Sequence, residues 1–174
     1  MDFNKKIEGT RQIGAEFMTW LMFRSLSNQG ILATPQGNVE VWFESSVTFV
    51  SPYAGGEVNI LKGESPAEGK EAFVSLRKGK QVEQARLSVT FQAKRFELAF
   101  NGPAFAVSAA KVPAVLGEDD EQNVLERFEL LASLEDIIRT LYHDFLVIRC
   151  DERKWTDECK RFDKWLTKQQ EEQE

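Results

Sequence analysis

Histidine occurs once in this chain of 174 residues and cysteine twice, and that scarcity leaves little room for metal or nucleophilic chemistry. A transition-metal site draws on several histidine or thiolate ligands. Cys150 and Cys159 have a spacing that fits neither a disulfide scaffold nor a zinc knuckle, so they read as reduced thiols beside or within a helical core. His143, between Tyr142 and Asp144 in a long helical pattern, reads as a solvated or satisfied helix residue rather than a catalytic base. There is no G-x-G-x-x-G, and Gly79-Lys80 lacks the upstream glycine and following hydroxyl of a phosphate loop. Long apolar runs are missing too. The most apolar stretch, 17–23, is far too short to span a bilayer, and the opening MDFNKKIEG lacks the apolar core of a secretory signal. The expectation is a cytoplasmic protein without metal, cofactor or membrane partner.

What is present is enough apolar material, 42% of residues, for one sizeable core in a chain of this length. A single α+β domain over residues 1–174 is expected: a mostly antiparallel sheet built from hairpins, with a buried N-terminal helix and C-terminal helices packed on it, and residues 169–174 as a frayed tail. Residues 10–26 carry a helical pattern in Ile13, Phe17, Trp20 and Leu21, widened by Met18, Met22 and Phe23. Arg24 falls on that apolar side and so needs either a carboxylate partner or an exit to solvent, a structural ion pair being the expectation. Alternation in Val39, Val41, Phe43, then Val47 and Phe49, predicts a hairpin turning at 44–46. Val58 and Ile60 suggest a third strand. Ser65-Pro66-Ala67-Glu68 has the form of a capping box opening a short helix that ends at Gly79.

Pairing Leu87 with Phe100, Val89 with Leu98 and Phe91 with Phe96 predicts a second hairpin around a four-residue loop, 92–95. Phe105 and Val107 suggest one more strand. After the acidic stretch 118–121, the spacing of Val124, Phe128, Leu131, Leu134, Ile138, Leu141, Phe145 and Ile148 predicts a long helix. A last helix carries Trp155, Cys159, Phe162 and Leu166. The stripes of these two helices fit a domain core or, through Trp155, Phe162 and Trp165, a partner interface.

The charge is uneven. The net charge is −6, yet residues 70–95 hold Lys70, Arg77, Lys78, Lys80, Arg86, Lys94 and Arg95 against only Glu71 and Glu83. Convergence of these cations would suit phosphate contacts to nucleic acid; the plain alternative is a solvated face. Glu68 and Lys70 also form a fragment of the carboxylate–lysine pattern of magnesium-dependent nucleases, a weak match that the capping box already explains.

Two stretches carry a family resemblance. Ile13-Gly14-Ala15-Glu16-Phe17-Met18-Thr19-Trp20-Leu21-Met22-Phe23-Arg24-Ser25 closely resembles the IGxEFLTWLWFRS helix of bacterial RdgC-like proteins. The stretch from Leu76 to Val82, running into Ala85-Arg86-Leu87, is similar to that family's GK-x-V segment and following hairpin. Weaker similarity continues through residues 125–149 and 155–166. The resemblance is to the C-terminal half of the longer family members. It implies a non-enzymatic, nucleoid-associated protein that binds double-stranded DNA with little sequence preference and restrains recombinase loading. It also implies a homo-oligomer, or a partner protein supplying the other half of the family's ring-shaped dimer. Lys78 and Lys80 around Gly79, together with Lys62, are then the positions nearest DNA. The rival expectation is a protein-interaction subunit that touches no nucleic acid.

Overall fold

The computed structural model describes residues 10–53, 56–115, 117 and 119–171. In chain order the elements are α1 (Thr10–Ser27), β1 (Ile31–Thr34), β2 (Gly37–Val50), β3 (Val58–Lys62), α2 (Lys70–Arg77), β4 (Gln81–Phe91), β5 (Lys94–Asn101), β6 (Ala106–Lys111), α3 (Asp120–Arg149) and α4 (Glu152–Glu171). The strands form one antiparallel sheet in the order β1-β2-β4-β5-β6. β3 pairs with the second half of β2, on the side that β1 occupies along the first half. This is the α+β domain the sequence predicts. Its last helix continues through Glu171, beyond the predicted start of the tail, and residues 172–174 lie outside the described residues.

One face of the sheet is apolar because strand alternation places Val39, Val41, Phe43, Val47 and Phe49 on it, beside Leu87, Val89, Phe96, Leu98 and Phe100. α1 covers that face, with Phe17 edge-on to Phe100. Phe145 of α3 and Trp155 of α4 complete the aromatic cluster. The opposite face carries Glu40, Trp42, Glu44, Thr48, Gln84 and Arg86, with the exposed Ile60 of β3 beside Thr48.

The crossing of α1 over the sheet is set by glycine. A Cβ added to Gly14 would stand 1.9 Å from the carbonyl oxygen of Gly102, and one added to Gly102 would stand 2.5 Å from that of Gly14. Two backbones therefore meet where any side chain would hold them apart.

Two buried carboxylates then fasten the helices to one another. Glu158 of α4 lies 2.7 Å from Arg24 Nε and accepts a 2.9 Å hydrogen bond from Trp20 Nε1. The arginine's approach is ionic rather than a linear hydrogen bond. Glu16 of α1 accepts from Arg149 Nε at 2.8 Å, and Arg149 also lies over the Trp155 ring. Of the two outlets open to Arg24, the structure takes the ion pair, with a carboxylate from a helix more than a hundred residues away.

Several local expectations change. There is no turn at 44–46: β2 is one strand, bulged between Glu44 and Val47, with Ser45 at φ 25°. Two extra residues leave the parity intact, so the apolar alternation looks the same on both sides of the bulge. The β4–β5 register is shifted by two, pairing Leu87 with Leu98 and Val89 with Phe96. The turn is only Gln92-Ala93, at φ 49° and 61°, a primed turn whose twist suits the strands although neither residue is glycine. A shift of two preserves the face, so the same side chains remain inside.

Ser65 does not cap a helix. Its carbonyl closes a turn onto the Glu68 N–H at 3.1 Å, and α2 starts only at Lys70, behind Gly69. Strand β1 had no signal of its own and was not anticipated. Val58 and Ile60 of β3 face outward and are exposed, while Leu61 packs against the core.

Candidate nucleic-acid interface

The cations of residues 70–95 do not gather on one patch. Gly79, at φ 79°, ends α2 and turns the chain into β4, so Lys70, Arg77 and Lys78 stand at one end of that strand. Lys94 and Arg95 stand at the other, beyond eleven residues of extended chain, or roughly 35 Å. Arg86 projects midway along the open sheet face.

Lys80 is a correction. It is only 3% exposed, with Nζ donating to Glu57 at 3.0 Å and to Asn59 at 2.9 Å. Asn59 in turn donates to Ser75 of α2. Lys80 therefore ties β3 to the α2–β4 junction and presents no charge to a ligand. The bonded ammonium holds the Glu57 carboxyl below its usual range, with help from Lys78 nearby.

Arg95 is also largely spent, 2.8 Å from Glu44 and 3.7 Å from Glu97. Glu97 bonds Lys111 as well, which lowers its own pKa. Among the described residues, Lys62, Lys70, Lys78, Arg86 and Lys94 are exposed and form no ion pair.

The structure adds cations that the sequence argument did not use. Trp165 of α4 packs edge-on against Phe73 of α2, and Arg77 Nη1 reaches Gln170 Oε1 at 3.5 Å. The end of α4 therefore lies beside the end of α2. Arg161, Lys164 and Lys168 are exposed along α4 at intervals of three and four, which places them on one face of that helix. The α2–α4 junction thus draws on two segments of the chain, with Arg77 at the contact itself and Arg161, Lys164 and Lys168 elsewhere along α4. Glu71, Asp163 and Glu171 are acidic side chains interspersed with these cations.

Trp155 and Phe162 are corrections of a different kind. Both are buried, and Trp165 is half-buried between Phe23 and Phe73. Their stripe builds the domain core, so it offers nothing to a partner. A contiguous set of exposed apolar side chains lies instead on the first turns of α3. There Val124, Leu125, Phe128 and Leu131 are exposed, Phe128 to 66%. The lower half of the same stripe, from Leu134 to Phe145, is buried as expected.

The remaining candidates gain no support from geometry. Glu68 and Lys70 lie exposed on a turn and a helix start, and no group of three potential metal ligands occurs among the described residues. His143 is exposed, 3.8 Å from Asp144. Cys150 is exposed, whereas burial pushes the Cys159 thiol up to about 11. No helix of the described chain is long and apolar enough to cross a membrane. No protein-family model and no curated protein matches this chain.

Proposed function

We propose that this chain is a DNA-associated accessory protein, without catalysis of its own, that holds the phosphate backbone of duplex DNA at the α2–α4 junction. The observation that supports the reading is the approach of Arg77, with Lys78 beside it at the end of α2, to Gln170 in the last turn of α4, a helix that also carries the exposed cations Arg161, Lys164 and Lys168. Flexible, exposed cations on helix ends suit phosphate contacts rather than base readout, which needs an element inserted into a groove. The resemblance of the α1 and β4 segments to RdgC-like proteins points the same way, toward recombination control. Lys62, Arg86 and Lys94 lie apart from this surface and are assigned a minor share.

The test is fluorescence anisotropy with a short labelled duplex. Arg77→Glu combined with Lys78→Glu is expected to weaken binding on every duplex sequence alike and to lower the salt slope by about 2. Lys94→Glu, at the far end of β4, leaves binding nearly unchanged. Equal losses in the two variants, or none in either, contradict the assignment.

A second reading, a self-associating interaction subunit, is favoured by the exposed start of α3. Two such helices packed antiparallel about Phe128 would bring Leu125, Phe128 and Leu131 of both copies into one apolar, self-complementary contact. Contiguous exposed apolar residues of this kind mark interaction surfaces. Phe128→Glu is expected to convert a dimer to a monomer in analytical ultracentrifugation with the circular dichroism spectrum unchanged. A wild-type protein that is monomeric throughout contradicts this reading.

A further inference from the structure

We infer that the groove between strand β1 and the C-terminal half of α3 is a docking site for an extended peptide from a partner protein, one that carries an apolar side chain and, two residues away, a lysine or arginine. The groove encloses about 770 Å³. One wall is the β1 backbone, the other is α3 with Leu141, Asp144, Val147 and Ile148, and the floor is Trp20 and Arg24 of α1.

The β1 wall names the form of the occupant. Among the described residues β1 pairs with β2 alone, along residues 37–40. The Val41 N–H donates to the Gly30 carbonyl at 2.8 Å, and antiparallel pairs alternate, so Leu32 and Thr34 turn their backbone groups toward β2. Ile31 and Ala33 turn theirs toward the free edge. The Ile31 N–H is already taken by the Asn28 carbonyl at 3.0 Å. The Ile31 carbonyl and both backbone groups of Ala33 therefore face the groove margin, in the arrangement that accepts an added strand.

Charge complementarity names the side chains. Arg24 is engaged from below by Glu158, and Asp144 is the groove carboxylate that pairs with no lysine or arginine among the described residues. Its neighbour His143 lies 3.8 Å away and offsets it only when protonated. In an added strand, alternate side chains point into the groove about 6.8 Å apart. Successive turns of α3 recur about every 5.4 Å. An apolar side chain lodged between Trp20 and Leu141 thus brings the next inward side chain alongside Asp144, where a cation is required.

The experiment is a nuclear magnetic resonance titration of the full chain with a terminally blocked heptapeptide, Ser-Thr-Leu-Thr-Lys-Thr-Ser. The expected result is a set of shifts confined to the β1 amides and residues 141–148. Binding should weaken about tenfold or more when leucine and lysine are made adjacent, when the intervening threonine is N-methylated, and in Asp144→Asn. Val147→Arg, at an exposed position that leaves the fold intact, should abolish it. Absence of any shift at the Ala33 amide up to about 1 mM peptide, or equal affinity for the reordered peptide, overturns the inference.

Discussion

Replacing Glu158 by alanine is expected to cost about 3–5 kcal/mol of stability, because it leaves a largely buried arginine without its counter-charge. The carboxylate is 4% exposed and serves Arg24 and the Trp20 indole together. Its loss strands both groups between α1 and α4. Arg161, 3.7 Å away on the same helix, is too exposed to contribute much. Replacing both Arg24 and Glu158 by leucine should recover most of the deficit, since a buried ion pair often exchanges with apolar residues at little net cost. Urea denaturation of the two variants checks both statements. A single variant within about 1 kcal/mol of wild type would mean that the pair is no fastener of the core.

Gly14→Ala should be at least as damaging, for a reason that has nothing to do with helix propensity. Alanine is intrinsically better in a helix than glycine by roughly 1 kcal/mol, so a solvent-facing Gly14 would be improved by the change. Here the added methyl lands 1.9 Å from the Gly102 carbonyl oxygen, a backbone atom that cannot swing aside. α1 must lift off the sheet, and the packing of Phe17 on Phe100 goes with it. A net loss of roughly 3 kcal/mol or more is expected, in the range of strained or overpacked core substitutions. The midpoint of thermal unfolding reads it directly, and an unchanged or raised midpoint contradicts the close crossing.

These two positions also show what could be read from the chain beforehand. The burden of Arg24 was legible, because an arginine on an apolar helical side must either be paired or reach solvent. Its partner was not, since nothing in the spacing of Glu158 distinguishes it from the other acids of α4. The face of each strand was legible from alternation, and it survived both the bulge at Ser45 and the two-residue turn at Gln92-Ala93. Register and turn length were not, because a shift of two leaves the pattern unchanged.

The candidate interface followed the same rule. Exposure of Arg77, Lys78 and Arg86 follows from helix and strand parity. The burial of Lys80 against Glu57 and Asn59 depends on β3 arriving from elsewhere in the sheet. The cations of α4 became relevant only through the packing of Trp165 on Phe73. Likewise the long apolar stripe of α3 left a domain core and a partner interface open as alternatives, and the core covers only its second half.

The most direct test of the central claim is the affinity of the purified chain for a duplex measured across a salt series. The account predicts a log-log slope of about −3 to −5, as expected for three to five phosphate contacts at the α2–α4 junction. It also predicts a slope that is shallower by about 2 after charge reversal at Arg77 and Lys78. No binding at low salt, or a slope that the double reversal leaves unchanged, would contradict it.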